Sequence, residues 1–109
     1  MISFSENLYS TKATKPSVNQ IKFKIISGIG TVRLYLITLS ANGMDLFDIY
    51  PAMQFKQRSM RKRNFLIVGI AESRRAAMEL TSLMIKDCAD KTGSLDNMRE
   101  YFDSFFRGG

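Results

Sequence analysis

The chain has 109 residues, of which 45% are apolar and 24% charged, a composition typical of one small globular domain. It has no histidine and one cysteine, Cys88, which excludes Ser-His and Cys-His catalysis, an ordinary zinc site and an internal disulfide. We therefore predict a non-enzymatic cytoplasmic protein without cofactor or metal, since a single reduced thiol is typical of that compartment.

The net charge of +6 is unevenly distributed along the chain. Residues 12–63 carry ten Lys/Arg and two Asp, whereas residues 64–109 carry six Lys/Arg and seven Asp/Glu. The densest run is 56–63, where five of eight residues are cationic. Such a field favours nucleic acid or acidic proteins as partners and also aids solubility. No apolar run approaches the roughly 18–20 residues that span a bilayer, so we predict no membrane span.

The first half of the chain predicts a tail followed by two strands. Residues 1–19 are polar and lack periodicity, so we predict a flexible N-terminal tail, with a short ordered piece around residues 4–9, and a single domain over 20–109. Apolar and basic residues alternate over 21–25, which predicts a strand with one solvated face. A glycine turn follows, and β-branched and aromatic residues over 31–39 predict a second, antiparallel strand.

Two further strands are predicted before the helices. Asn42-Gly43 is a reverse-turn signal, and residues 45–50 form the third predicted strand, which Pro51 ends. Residues 65–70 are apolar without alternation, which predicts a fourth strand in the centre of the sheet with both faces covered.

The last third of the chain predicts two helices. The first covers 73–91, with Ser73 as N-cap and Gly93 just past its end, and the second begins at Ser94. The apolar stripe of the first helix comprises Ala76, Ala77, Leu80, Leu83, Met84 and Cys88. Four strands followed by two helices predict an α+β fold, an antiparallel sheet of about four strands with two C-terminal helices packed on one face.

A polyanion-binding surface is the first candidate site. The basic run would form a loop that contacts phosphates, joined by cations of the first two predicted strands. Phe55 and Tyr50 could stack on bases if they are exposed. The alternative is a solvated loop that keeps an edge strand soluble, and no known nucleic-acid-binding motif accompanies the run. The candidate residues are Lys22, Lys24, Arg33, Lys56, Arg58, Arg61, Lys62 and Arg63.

The second candidate is a small-anion site at the start of the first predicted helix, formed by Ser73, Arg74 and Arg75. Two arginines in a first turn oppose the helix dipole, and a bound anion would relieve that repulsion. The alternative is that both arginines extend into solvent or pair with carboxylates.

The third candidate is an aromatic interface near the C-terminus. Adjacent aromatic pairs on the second predicted helix make a broad apolar face, which either completes the core or anchors a homodimer. Its residues are Tyr101, Phe102, Phe105 and Phe106. The sequence thus predicts a small binding module that engages nucleic acid or an acidic partner. The alternative is an assembly protein that homo-oligomerises through this face.

Overall fold

The fold is an α+β arrangement with a mixed sheet and helices packed on it. The computed structural model describes residues 2–28, 33–39 and 47–93, excluding the side chains of residues 6, 7 and 92. Within these ranges the sheet has four strands in the order β1-β4-β2-β3. The strands are β1 (Ile2–Ser10), β2 (Tyr35–Leu39), β3 (Phe47–Pro51) and β4 (Phe65–Ala71). β1 runs parallel to β4, and β2 runs antiparallel to both β4 and β3.

Helices cover both faces of this sheet. They are α1 (Val18–Ser27), the short α2 (Arg58–Arg61) and α3 (Arg74–Thr92), with 3-10 segments at Lys15–Ser17 and Ala52–Lys56. One core lies between the sheet and the layer of α1, α2 and the second 3-10 segment; we call this the basic layer. The other core lies between the sheet and α3.

A bulge lets β4 serve both cores. Ile37 of β2 pairs with Gly69, whereas the next residue, Thr38, pairs with Ile67, so Val68 is an extra residue on β4. Extra residues of this kind shift the alternation of a strand. As a result Ile67 and Ile70 both face the basic layer, while Val68 and Ala71 face α3. The prediction that residues 65–70 form a central, doubly covered strand is confirmed.

The N-terminal predictions differ from the structure. Residues 2–10, predicted as part of a flexible tail over 1–19, form β1 and pair with β4. Residues 21–25, predicted as a strand, lie in α1. Ile21 and Ile25 are four residues apart, so both reach the core from one face of a helix, and Phe23 between them points outward. A run of only five alternating residues is compatible with the two-residue period of a strand and with the 3.6-residue period of a helix. Gly28, with φ 72°, ends the helix in the left-handed conformation.

The predicted order of elements is also corrected. The first helix comes between β1 and β2, one strand pair is parallel, and the helices lie on two faces rather than one. Residues 47–50 of the third predicted strand lie in β3, which ends at Pro51. Residues 33 and 34 of the second predicted strand precede β2, which begins at Tyr35. The predicted helix from Ser94 lies outside the described residues.

The predicted helix over 73–91 is confirmed as α3. The Ser73 hydroxyl accepts a hydrogen bond from the Ala76 backbone N–H, and Gly93 adopts a positive φ of 79°. Ala77, Leu80, Met84 and Cys88 of the predicted apolar stripe are buried. Leu83 is an exception, since 47% of it is exposed. Among the described residues no helix has the length and apolar character needed to cross a bilayer.

Candidate polyanion-binding surface

The charge asymmetry along the chain becomes a difference between the two faces of the sheet. The charged residues of α1, α2 and the second 3-10 segment are all cations. α3, on the other face, carries four cations and three carboxylates and is close to neutral. The basic layer is therefore the side of the molecule that attracts anions.

An open cleft lies along the N-terminal half of α1. Its volume is about 350 Å³, and its charged and polar lining comes from Thr14, Ser17, Gln20, Lys24 and Arg33. No carboxylate is among the described residues that line it. Lys24 and Arg33 come from different segments of the chain and converge on the same space. We call this space the Lys24 cleft.

The turn before α1 anchors one wall of the Lys24 cleft. Thr14 is buried, and its hydroxyl donates to the backbone carbonyls of Thr11 and Ile70, at 3.2 and 3.3 Å. The Thr11 backbone N–H also donates to the Ile70 carbonyl, at 3.3 Å. These bonds tie the turn to the end of the central strand β4, so the cleft has a rigid support.

Lys24 also borders a second, narrow crevice. Gly28, Met53 and Lys56 line it together with Lys24. Lys24 therefore borders two depressions, one that it shares with Arg33 and another that it shares with Lys56.

Comparisons with protein-family models, with curated proteins and with solved structures found no match to this chain.

Arg61 links two helices through hydrogen bonds to backbone carbonyls, a role that the sequence did not reveal. Its guanidinium donates to the carbonyl of Ile25 at 3.0 Å, to that of Phe55 at 3.3 Å, and to that of Ile26. Ile25 and Ile26 lie in the last turn of α1, where carbonyls lack helical partners and the dipole favours a cation. Arg61 thus joins α2 to the end of α1, and its donors face the protein rather than a phosphate.

Two further predicted phosphate contacts lie over aromatic rings. The Lys22 ammonium is 5.6 Å from the ring centre of Phe4, and the Arg63 guanidinium is 4.8 Å from that of Phe65. Both distances fit cation–π geometry. Of the remaining candidates, Lys24, Arg33, Lys56, Arg58 and Lys62 are exposed.

The predicted base-stacking aromatic residue is buried. Phe55 is only 1% exposed and packs edge-on against Tyr50 and Phe65, with ring centres 5.7 and 5.0 Å apart. Stacking by Phe55 and Tyr50 was conditional on their exposure. Phe55 does not meet that condition because its ring fills the core, and Tyr50 is partly buried against the same core. The exposed aromatic side chain of this layer is Phe23, at 67%. The four-residue spacing of Ile21 and Ile25 was the sequence signal that could have revealed a helix with Phe23 on its exposed side.

The start of α3 has the contacts of an ordinary capped helix. Ser73 is occupied as N-cap, with 3.1 Å between its Oγ and the Ala76 nitrogen. Arg75 Nε lies 3.7 Å from Glu79 Oε1, and both side chains are largely exposed. Arg74 is exposed as well. These positions agree with the alternative of solvated and paired arginines.

Two features of the sequence remain, the C-terminal aromatic candidates and Cys88. Tyr101, Phe102, Phe105 and Phe106 lie outside the described residues. Cys88 is buried against β4 and β2 in the α3 core, as predicted for a core thiol. In the ranges that the structure describes, Cys, Asp and Glu side chains form no group of three that could hold a metal ion.

Proposed function

We propose that this chain is a non-enzymatic binding module that engages nucleic acid through its basic layer. The contacting cations are Lys24, Arg33, Lys56, Arg58 and Lys62. The observation that carries the proposal is the position of Lys24, which lines a cleft with Arg33 and a crevice with Lys56. Cations grouped on one face form the electrostatic footprint that a polyanion binds.

Salt dependence gives the proposal a quantitative form. Each phosphate that a cation neutralises contributes about 0.7 to the slope of log K against log salt for a single strand, and about 0.9 for B-DNA. Removing three contacts should therefore flatten the slope by roughly two to three. Arg61 is not expected to contribute, since its guanidinium binds backbone carbonyls.

Fluorescence anisotropy with a labelled oligonucleotide tests the proposal. We expect the triple variant Lys24→Gln, Arg33→Gln, Lys56→Gln to lose most of the affinity and to show the flatter salt slope. The matched control is Arg74→Gln, Arg75→Gln, Lys86→Gln, which removes the same charge from α3. Equal losses of affinity in the two variants would show that binding depends only on net charge and would contradict the proposed surface. Absence of binding by the wild type would refute the proposal.

Homo-oligomerisation through Tyr101, Phe102, Phe105 and Phe106 stays a prediction. Sedimentation equilibrium tests it directly, since a dimer anchored by these rings would dissociate when Phe102 and Phe105 are changed to Ser. A monomer at high concentration would contradict it.

A further inference from the structure

We propose that the ligand is single-stranded, with one backbone phosphate in the Lys24 cleft and the neighbouring base stacked on Phe23. This inference rests on the function proposed above and specifies its ligand. It joins two observations that are independent of each other, the lining of the cleft and the exposure of one aromatic ring.

The cleft has the chemistry of a phosphate site. Lys24 and Arg33 supply two positive charges from separate segments, and Ser17 and Gln20 add a hydroxyl and an amide donor. At about 350 Å³ the cleft is at the lower end of the range for ligand sites, about 300–1,000 Å³. It can therefore admit a nucleotide-sized group, and its described lining contains no carboxylate to repel one.

Phe23 is an exposed residue of α1 that does not itself line the cleft. It follows Gln20, which does line the cleft, by three positions, and residues three apart are neighbours on a helix surface. Of the large apolar side chains in the described ranges that are exposed, Phe23 is the most exposed, at 67%. Single-strand-binding proteins combine exposed aromatic rings, on which bases stack, with a cationic groove that holds the backbone.

A single strand fits this surface better than a duplex does. The bases of a duplex are stacked on one another, so their flat faces are closed to a side chain that projects from a helix. A single strand can turn one base outward onto the ring while its phosphate stays in the cleft. Because a stack on a phenyl ring reads no base edge, we expect little sequence preference.

The test compares two probes of equal length and charge, an oligothymidylate and an abasic strand of the same backbone. Wild-type protein should bind the oligothymidylate about 5- to 150-fold more tightly, which is the effect of one stacked base. Phe23→Ala should bring this ratio close to one and leave the affinity for the abasic strand unchanged. Phe23→Trp should keep the ratio. The matched control Met78→Ala truncates another exposed apolar side chain, on α3, and should change neither affinity.

The outcomes separate this inference from the broader function. Lys24→Gln with Arg33→Gln should weaken both probes by a similar factor. If those changes weaken binding but Phe23→Ala leaves the ratio unchanged, the stack is refuted and the basic surface still stands. Tighter binding of a duplex than of its single strand would also overturn the inference. A third result would also overturn it: the protein binds phosphatidylserine vesicles but not the oligonucleotide, and Phe23→Ala abolishes the vesicle binding. That result would assign the ring to a membrane surface.

Discussion

The phenol hydroxyl of Tyr9, on β1, donates a 2.7 Å hydrogen bond to a carboxylate oxygen of Asp87, on α3. The two residues are 78 positions apart in the chain. The Tyr9 ring also packs against the α3 core. The bond therefore ties the edge strand β1 to the helix that covers the sheet, and it shows why the N-terminal residues are ordered.

We expect Tyr9→Phe to lower the free energy of unfolding by about 1–2 kcal/mol, because a hydrogen bond to a charged acceptor is lost in a half-buried place. Urea unfolding measures this change. A double-mutant cycle with Asp87→Ala gives the coupling energy of the pair. Additive effects of the two changes would show that the bond contributes nothing.

Arg61→Ala should lower the free energy of unfolding by about 2–3 kcal/mol, because it leaves carbonyls at the end of α1 and at Phe55 without their donor. Arg58→Ala, in the same short helix but exposed, should change it by less than about 0.5 kcal/mol. Arg61→Lys should recover only part of the loss, since an ammonium cannot reproduce the guanidinium fork. Thermal or urea unfolding of the three variants decides the point, and equal stabilities of the two alanine variants would contradict it.

Thr38→Val should raise the free energy of unfolding by about 1 kcal/mol. The Thr38 hydroxyl is buried and has no hydrogen-bond partner in the part of the chain that the structure describes. Replacing it with a methyl group removes the cost of desolvating an unsatisfied polar atom. Thr38→Ser is the control, since it keeps the hydroxyl and removes the methyl group, and it should destabilise. A loss of stability in the valine variant would indicate that the hydroxyl is satisfied in solution.

Gly69→Ala should destabilise the protein by about 1–3 kcal/mol through overpacking. An added Cβ would lie 2.9 Å from Ile37 Cδ1 and 3.3 Å from Met84 Cε, in the α3 core. Ile37→Val removes the first of these atoms, so the double variant should be less destabilised than the sum of the two single changes. Simple additivity in urea unfolding would show that the core adjusts to the new methyl group.

Local sequence signals predicted the elements whose apolar pattern fits either a strand or a helix but not both. The β4 segment is uniformly apolar and short, and α3 has both an N-cap serine and a glycine at its end, so type and approximate bounds followed. The segment that became α1 was ambiguous, because five alternating residues fit a strand as well as a helix. The burial of Ile21 and Ile25 together decided for the helix.

The order of the strands in the sheet could not be predicted from local sequence patterns. β1 is largely polar and reads as a tail, and its parallel partner β4 lies more than fifty residues away. Backbone pairing with that strand and the bond from Tyr9 to α3 hold β1 in the fold, and neither partner is visible in the N-terminal sequence itself. A polar segment of this kind is ordered by its neighbours rather than by its own propensity.

The sequence by itself determined that the positive charge lies in residues 12–63 and that no histidine chemistry is available, because composition does not depend on folding. Only the tertiary structure decided which cations can meet a ligand. Arg61 faces the carbonyls at the end of α1, whereas Lys24 and Arg33 line one cleft, and Phe23 of the same helix as Lys24 is exposed. The physical reason is that the availability of a charge depends on which backbone groups and rings lie within a few ångströms, and those neighbours come from distant parts of the chain.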